Sequence, residues 1–324
     1  MSLDAILGTG FEKELKLIPC TEDGLFSVDQ NSAESIWTPH DRKAAFVVLK
    51  GQILCRVHSL AGYPAYYPMY PPNFQPPAKA VLMDLDGTSV RSERFWMWII
   101  ARTVARLRGE KEFRLEPEDE PFVSGHSVTE HLRYCLDKYA SQYTLAEARD
   151  TYFAVARYEM REILDGRGKQ DAFTPSPHLK EFLLTLKQAK IKIGLVTSGL
   201  TEKAMPEIVA AFRTLDMGDP RDFYDAIISA GTPMNSGEVG TLGELEAKPH
   251  PWLYAEIGKI GFGLDREEGS VIAMEDSSAG VIAARLAGFP CIGIEGGNIR
   301  QSGVSCLCAG MYRDLLDTLP LILG

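Results

Sequence analysis

Two carboxylates separated by one residue, Asp84-Leu85-Asp86, follow the apolar run Ala80-Val81-Leu82-Met83 and precede Gly87-Thr88. A run of that kind reads as a buried parallel strand. Gly87 turns the chain just beyond the strand's carboxyl end, where open α/β sheets gather their ligands. Residues one and three of an extended segment can face one cavity, because strand side chains alternate with period two. A carboxylate pair so placed can hold a divalent cation, or divide the work of nucleophile and general acid/base. An acidic turn is the bland alternative, since Asp-Gly turns are common. Asp-x-Asp-Gly-Thr arises by chance in only roughly a few per thousand chains of this length, so three stretches downstream decide the matter.

The first is the apolar strand Ile191 to Val196, which ends in Thr197-Ser198-Gly199. A hydroxyl and backbone amides at a strand-to-helix turn suit a phosphate. The second, Lys248-Pro249-His250-Pro251, sets a compact cation ahead of a proline-started helix, and an ammonium there can neutralise phosphate oxygens. In the third, the strand Val271 to Met274 ends in Glu275-Asp276-Ser277, a second acidic pair at a strand's carboxyl end. Each alone is ordinary: a polar turn, an exposed lysine, a helix N-cap. Their order carries the information.

In that order the stretches resemble the four motifs of the haloacid dehalogenase-like (HAD) superfamily, in the helical-cap branch of β-phosphoglucomutase and phosphoglycolate phosphatase. Asp84-Leu85-Asp86-Gly87-Thr88, Thr197, Lys248 and Glu275-Asp276 carry the likeness, and Ala283 to Gly288 resembles the segment after the fourth motif. The likeness spans about residues 79–324. It implies that Asp84 attacks phosphorus and becomes an aspartyl phosphate, while Asp86 protonates the leaving alcohol and then activates water. It implies that Thr197 and the Ser198 amide bind the transferring oxygens beside Lys248. It further implies Mg²⁺ held by the Asp84 carboxylate, the Asp86 carbonyl and Asp276, with Glu275 a ligand directly or through water. Octahedral Mg²⁺ suits such an oxygen site. A carboxylate nearing a phosphate meets ~4 kcal/mol of repulsion per charge pair at 4 Å and an effective dielectric of 20, which Mg²⁺ and Lys248 offset.

Within the superfamily, haloacid dehalogenases and phosphonoacetaldehyde hydrolases lack the second Asp, so Asp86 favours phosphoryl transfer from an alcohol. The β-phosphoglucomutase-like enzymes carry a Lys before a cap glycine and an Arg three residues after it. Here Ser124 and Val128 flank Gly125 at those positions, and Trp96 replaces their His after the first motif. Hydrolysis of a small phosphorylated metabolite, a sugar phosphate or similar, is therefore expected ahead of a mutase reaction. A phosphate-binding or interaction protein with little turnover is the third reading. The cap residues expected to contact substrate are Gly125, His126, Arg91 and Arg133. Phe95, Trp96 and Trp98 have the helical spacing of a cap core.

Elements must position these residues. From Ser92 to Ala172 the pattern is helical, with apolar residues at three- and four-residue spacing over Phe95 to Leu107, Ser127 to Tyr139 and Thr144 to Leu164. Thr144 and Glu147 form a capping-box signature. Helix and strand then alternate: helices at Leu179 to Ala189, Pro206 to Leu215, Pro251 to Ile260 and Ala279 to Ala287, strands at Ala226 to Ser229 and Cys291 to Ile294. This predicts an α/β fold, a doubly wound parallel sheet (79–91 and 173–324) with an inserted all-helical cap (92–172). Residues 1–62 read as a small β-rich N-terminal extension with strands at Phe46 to Leu49 and Ile53 to Val57, bent near Gly51, and two more at Glu14 to Ile18 and Leu25 to Val28. Residues 63–78, with six prolines and five aromatics in 63–77, read as an extended linker.

A chain of 324 residues suggests about two domains. A net charge of −10 argues against nucleic acid and anionic membrane as partners. No apolar run approaches the ~20 residues of a membrane span, and no basic-then-apolar leader opens the chain, so a cytoplasmic protein is expected. The six scattered cysteines lack Cys-x-x-Cys and zinc-ligand spacing, and Cys306-x-Cys308 reads as part of a late strand before a final helix. The expected partner is a small phosphorylated substrate, with residues 1–78 a surface for self-association or a protein partner.

Overall fold

The computed structural model describes residues 2–28, 32–58, 64–119, 128–169, 171–230, 239–242 and 247–324. They fall into two compact units: 1–89 with 176–201 and 217–324, and 90–175 with 202–216.

The first unit carries two sheets. Strands β1 (Lys16–Leu17), β2 (Ser35–Thr38), β3 (Ala44–Leu49), β4 (Gln52–Val57) and β5 (Ala65–Met69) form an antiparallel sheet in sequence order. The second sheet is parallel. Its strand β6 (Ala80–Asp84) is followed, after the short ribbon of β7 (Val90–Arg91) and β8 (Thr174–Pro175) in the other unit, by β9 (Lys192–Leu200), β10 (Ala226–Ala230), β11 (Val239–Leu242), β12 (Val271–Glu275), β13 (Cys291–Ile294) and β14 (Gly310–Tyr312). The spatial order is β11-β10-β9-β6-β12-β13-β14. All five residues of β6 and of β12 are buried, as parallel strands covered on both faces must be, and this is why they read as unbroken apolar runs. Later strands run outward from β6 on one side through β9 and on the other through β12. The carboxyl end of β6 is thus the switch point of the sheet, where a crevice opens.

The second unit is built on helices Glu93–Arg108, Val128–Tyr139 and Leu145–Leu164. The Thr144–Glu147 capping box forms in both directions. Phe95 is fully buried and packs on Trp96, Trp98 and Phe173; Phe95 and Phe173 are core, while Trp96 and Trp98 are half-buried. A fourth helix, Thr201–Leu215, starts five residues before the expected Pro206, and its residues from 202 cluster with this unit rather than with the sheet.

The N-terminal region departs from its sequence reading. Residues 1–62 do not stand apart: Ile6, Phe11, Phe46 and Met69 share one apolar cluster with Val271, Val281 and Leu286. Nor is 63–78 wholly linker, because Ala65–Met69 is a strand paired along its length with β4. Pro68 is tolerated there because β5 is an edge strand and needs no donor on its outer side. Glu14 to Ile18 divides between the helix Phe11–Glu14 and β1. Leu25 to Val28 is loop, tied back by a Cys20–Ser27 bridge and by the Val28 N–H, which donates to the Pro19 carbonyl. Cys306 lies in a single 3₁₀ turn, Ser305–Leu307, and the last strand starts at Gly310. All six cysteines are free thiols. Among the described residues no helix is long and apolar enough to cross a membrane.

Candidate active site

Asp84 is the last residue of β6 and only 6% exposed. The Lys248 ammonium lies 2.6 Å from Asp84 Oδ1, 2.6 Å from Glu275 Oε1 and 3.3 Å from the Val196 carbonyl. All three of its protons are therefore directed at acceptors. The lysine reaches this point because its backbone N–H donates to Ser198 Oγ at 3.1 Å. Ser198 belongs to a bulge: Val196 pairs with Ile228 and Leu200 with Ala230, so Thr197-Ser198-Gly199 stands opposite Ser229 alone. The bulge lifts Thr197 and Ser198 out of the ladder, and the Gly199 N–H turns in to Thr197 Oγ1 at 3.0 Å.

The second acidic pair ends β12. Glu275 is fully buried, and donors occupy both its oxygens: Lys248 and the Tyr254 hydroxyl (2.5 Å) on Oε1, the Ser277 hydroxyl (3.1 Å) on Oε2. Asp276 sits where no side chain fits on either flank. A Cβ on Gly87 would stand 1.9 Å from Asp276 Oδ2, and one on Gly297 2.4 Å from the same atom. Gly87 also holds φ +85°, a conformation that favours glycine. Beyond Asp276, Ser277 caps the helix Ser278–Leu286 through the Gly280 N–H, and the Ser278 N–H donates to Asn298 Oδ1 at 2.7 Å.

Oxygens of Asp84, Glu275 and Asp276 lie within 4.8 Å of one another. At an effective dielectric of about 20, unit charges at that spacing repel by roughly 3 kcal/mol per pair, and one ammonium does not balance three carboxylates. Burial first, and the Glu275 charge second, push the Asp84 carboxyl up to about 8 against the pull of Lys248. Burial, Asp84 and Glu275 raise Asp276 well above the carboxylate range. Burial alone would lower Lys248, but the two carboxylates outweigh it and raise its pKa. A pocket this crowded with oxygen donors is suited to a divalent cation, and the two glycines that bare Asp276 leave a cradle that any Cβ would fill. The donor set fits Mg²⁺.

Six of the residues singled out in the sequence meet in one crevice: Asp84, Thr197, Ser198, Lys248, Glu275 and Asp276. Asp86 lies two residues on in the turn, half-buried. Arg91 and Arg133 are exposed residues of the helical unit, while Gly125, His126 and Ser124 lie outside the described residues. Sequence reasoning missed Tyr254, Gly297 and Asn298, which sit in no motif. Tyr254 had one usable signal, an aromatic six residues after Lys248 in the helix that follows it.

A family model for haloacid dehalogenase-like hydrolases matches residues 78–288. The chain belongs to that family. Phosphoglycolate phosphatase of Photorhabdus laumondii is 28% identical over 186 residues, covering 55% of this chain and 70% of that protein. Among solved structures, a predicted phosphoglycolate phosphatase from Haemophilus somnus superposes with TM-score 0.55 at 20% identity, over 76% of this chain and 99% of that one. A putative β-phosphoglucomutase from Thermotoga maritima gives 0.54 at 19%, over 76% and 100%. CbbY from Rhodobacter sphaeroides, solved with phosphate, gives 0.52 at 20%, over 74% and 96%. These structural likenesses concern the fold.

Proposed function

We propose that the protein is a Mg²⁺-dependent phosphomonoesterase acting on a small phosphorylated metabolite. The observation that carries this reading is the Lys248 ammonium bridging Asp84 and Glu275 at 2.6 Å each, with the Asp276 carboxylate beside them. It is the charge pattern a phosphate needs: one cation delivered to the nucleophile, and a set of oxygens that calls for another. Membership of the hydrolase family and the phosphatase relative support it.

Asp84 attacks phosphorus, and the bond from phosphorus to the substrate oxygen breaks. Asp86 gives its proton to the departing alkoxide. Asp86, now a carboxylate, takes a proton from water as that water attacks the aspartyl phosphate, which frees Asp84 and inorganic phosphate. The Thr197 hydroxyl and the Ser198 amide orient the transferring oxygens, and Lys248 neutralises them. Asp84, Asp276 and the Asp86 carbonyl would hold Mg²⁺, which supplies the positive charge that lets a carboxylate approach a phosphate. Glu275, its oxygens accepting from Lys248, Tyr254 and Ser277, serves chiefly to anchor Lys248. Arg91 and Arg133, with Gly125 and His126, are the proposed selectors among substrates.

The test is phosphate release from sugar phosphates, phosphoglycolate, nucleotides and p-nitrophenyl phosphate, with Mg²⁺ and with EDTA, while glucose 1-phosphate isomerisation is followed in parallel. Mg²⁺-dependent release concentrated on one or two compounds is expected. Isomerisation with little free phosphate would overturn hydrolysis in favour of a mutase. Silence in both assays would leave a phosphate-binding protein.

A further inference from the structure

His250 stands two residues beyond Lys248 and is 2% exposed. Its ring reaches the N-terminal sheet with both nitrogens. Nδ1 lies 2.8 Å from the Tyr67 hydroxyl on β5, and Nε2 lies 3.0 Å from the carbonyl of His58, the residue after β4. A carbonyl only accepts, so Nε2 carries a proton, and in the neutral ring Nδ1 accepts from Tyr67. The Tyr67 ring meets His250 edge-on with centroids 5.8 Å apart, and meets Trp252 in the same manner at 6.2 Å. Pro249 and Pro251 flank His250. Fixed φ at each proline and the restricted residue before it leave this stretch few soft torsions. Where the His250 ring is held therefore helps to fix the Lys248 backbone, together with the bond from its N–H to Ser198 Oγ.

We propose that the N-terminal extension is a working part of the active site: Tyr67 and the His58 carbonyl grip His250 and so set the position from which Lys248 reaches Asp84 and Glu275. Tyr67 and His250 are positioning residues. This inference rests on the reading of Lys248 as the residue that neutralises phosphate. Tyr67 and His58 both precede residue 78, where the family match begins, so the family's shared motifs do not require them. A second contact points the same way. Asp41, between β2 and β3, accepts from the Ser278 hydroxyl at the start of the helix that follows Asp276. The extension thus holds both loops that bring charge to Asp84. A displacement of about 1 Å at a reacting centre can cost on the order of 100-fold in rate, so a partial release of Lys248 is kinetically visible.

The experiment is a cycle of full-length variants: wild type, Tyr67→Phe, Lys248→Ala and the double variant. Turnover of p-nitrophenyl phosphate with Mg²⁺, Tm, and the crystal structure of Tyr67→Phe are measured. Tyr67→Phe is expected to lower kcat roughly 10-fold, with KM within about twofold, and to change nothing further when Lys248 is already alanine. An equal loss in both backgrounds would make Tyr67 a general support of the fold and overturn the proposal, as would no loss at all. If Tyr67→Phe does not fold, His250→Gln takes its place in the same cycle. Should wild type turn over no substrate, the reading of the site falls, and geometry still decides the positioning. In the crystal structure, Lys248 Nζ drawn away from Asp84 and Glu275 upholds it; unchanged distances overturn it.

Discussion

Two buried aspartates, one in each unit, are opposite solutions to the same problem. Asp119, in the helical unit, accepts from Lys138 Nζ and the Tyr134 hydroxyl at 2.7 Å, the Tyr139 hydroxyl at 2.5 Å and the Glu116 N–H at 2.8 Å. Burial opposes its charge, yet these donors hold its carboxyl down to about 2. Asp84 has the same side chain, but it is set deeper in the protein, shares its one lysine with Glu275 and faces Asp276. Its carboxyl is pushed up to about 8. A saturated carboxylate is inert scaffold. A crowded one is under electrostatic stress that a cation or a phosphoryl group relieves, and such stress marks functional sites.

The contrast breaks most sharply at Asp84→Asn. We expect kcat to fall by at least about 10³-fold, because the nucleophile is gone, with Tm in EDTA within a few degrees of wild type. Near-normal turnover would remove the nucleophile from the mechanism. Lys248→Ala should cost roughly 10²–10³ in kcat, and the metal-free protein should also lose stability, since Asp84 and Glu275 lose the cation they share. Added Mg²⁺ should restore part of the lost Tm, and failure to do so would argue that no cation binds there. Asp119→Asn should do the reverse: a loss of about 2 kcal/mol of stability with kcat per folded molecule within about threefold. A large kinetic effect would mean that Asp119 is more than scaffold.

The smallest effect is a pH dependence. Because the folded pKa of Asp84 is raised from 3.8 to about 8, the metal-free folded state binds more protons than the unfolded chain between those values. Its stability therefore declines as pH rises through that window. Mg²⁺ bound to the ionised carboxylates counters this, so Tm with Mg²⁺ minus Tm with EDTA should grow by a few degrees from pH 5 to pH 8. A difference that is flat or shrinks with pH would contradict the crowding account. Asp119 has the opposite sign, its contribution being present above 3.8 and lost only as pH falls toward 2.

The parallel sheet was legible because its central strands are buried on both faces and so appear as contiguous apolar runs, each ended by its own functional residues. The helical insertion was legible for a similar reason: its periodicity and the Thr144–Glu147 cap are local. The antiparallel sheet was half hidden. Phe46 to Leu49 and Ile53 to Val57 announce a hairpin around Gly51, but β2 is four residues long and β5 carries a proline. Both contain β-favouring residues, Ile36-Trp37-Thr38 and Tyr66-Tyr67, but shortness and the proline hide them until they pair with β3 and β4. Glu275 was legible as an acidic neighbour of Asp276, but its buried partners, the Tyr254 and Ser277 hydroxyls on its oxygens, were not.

The sequence by itself determined the order of the four motifs, the parallel strands beneath them and the insertion between the first and second. All of these are carried by residues within a few positions of one another, where periodicity and turn chemistry act. Only the tertiary structure decided that Lys248 bridges Asp84 and Glu275, 164 residues before it and 27 after. It alone decided that His250 meets Tyr67 across 183 residues of chain. Such pairings follow from how the sheets stack and which apolar faces close on each other, and burial then makes each contact count, because a charge or hydroxyl inside must find its partner wherever the fold delivers one.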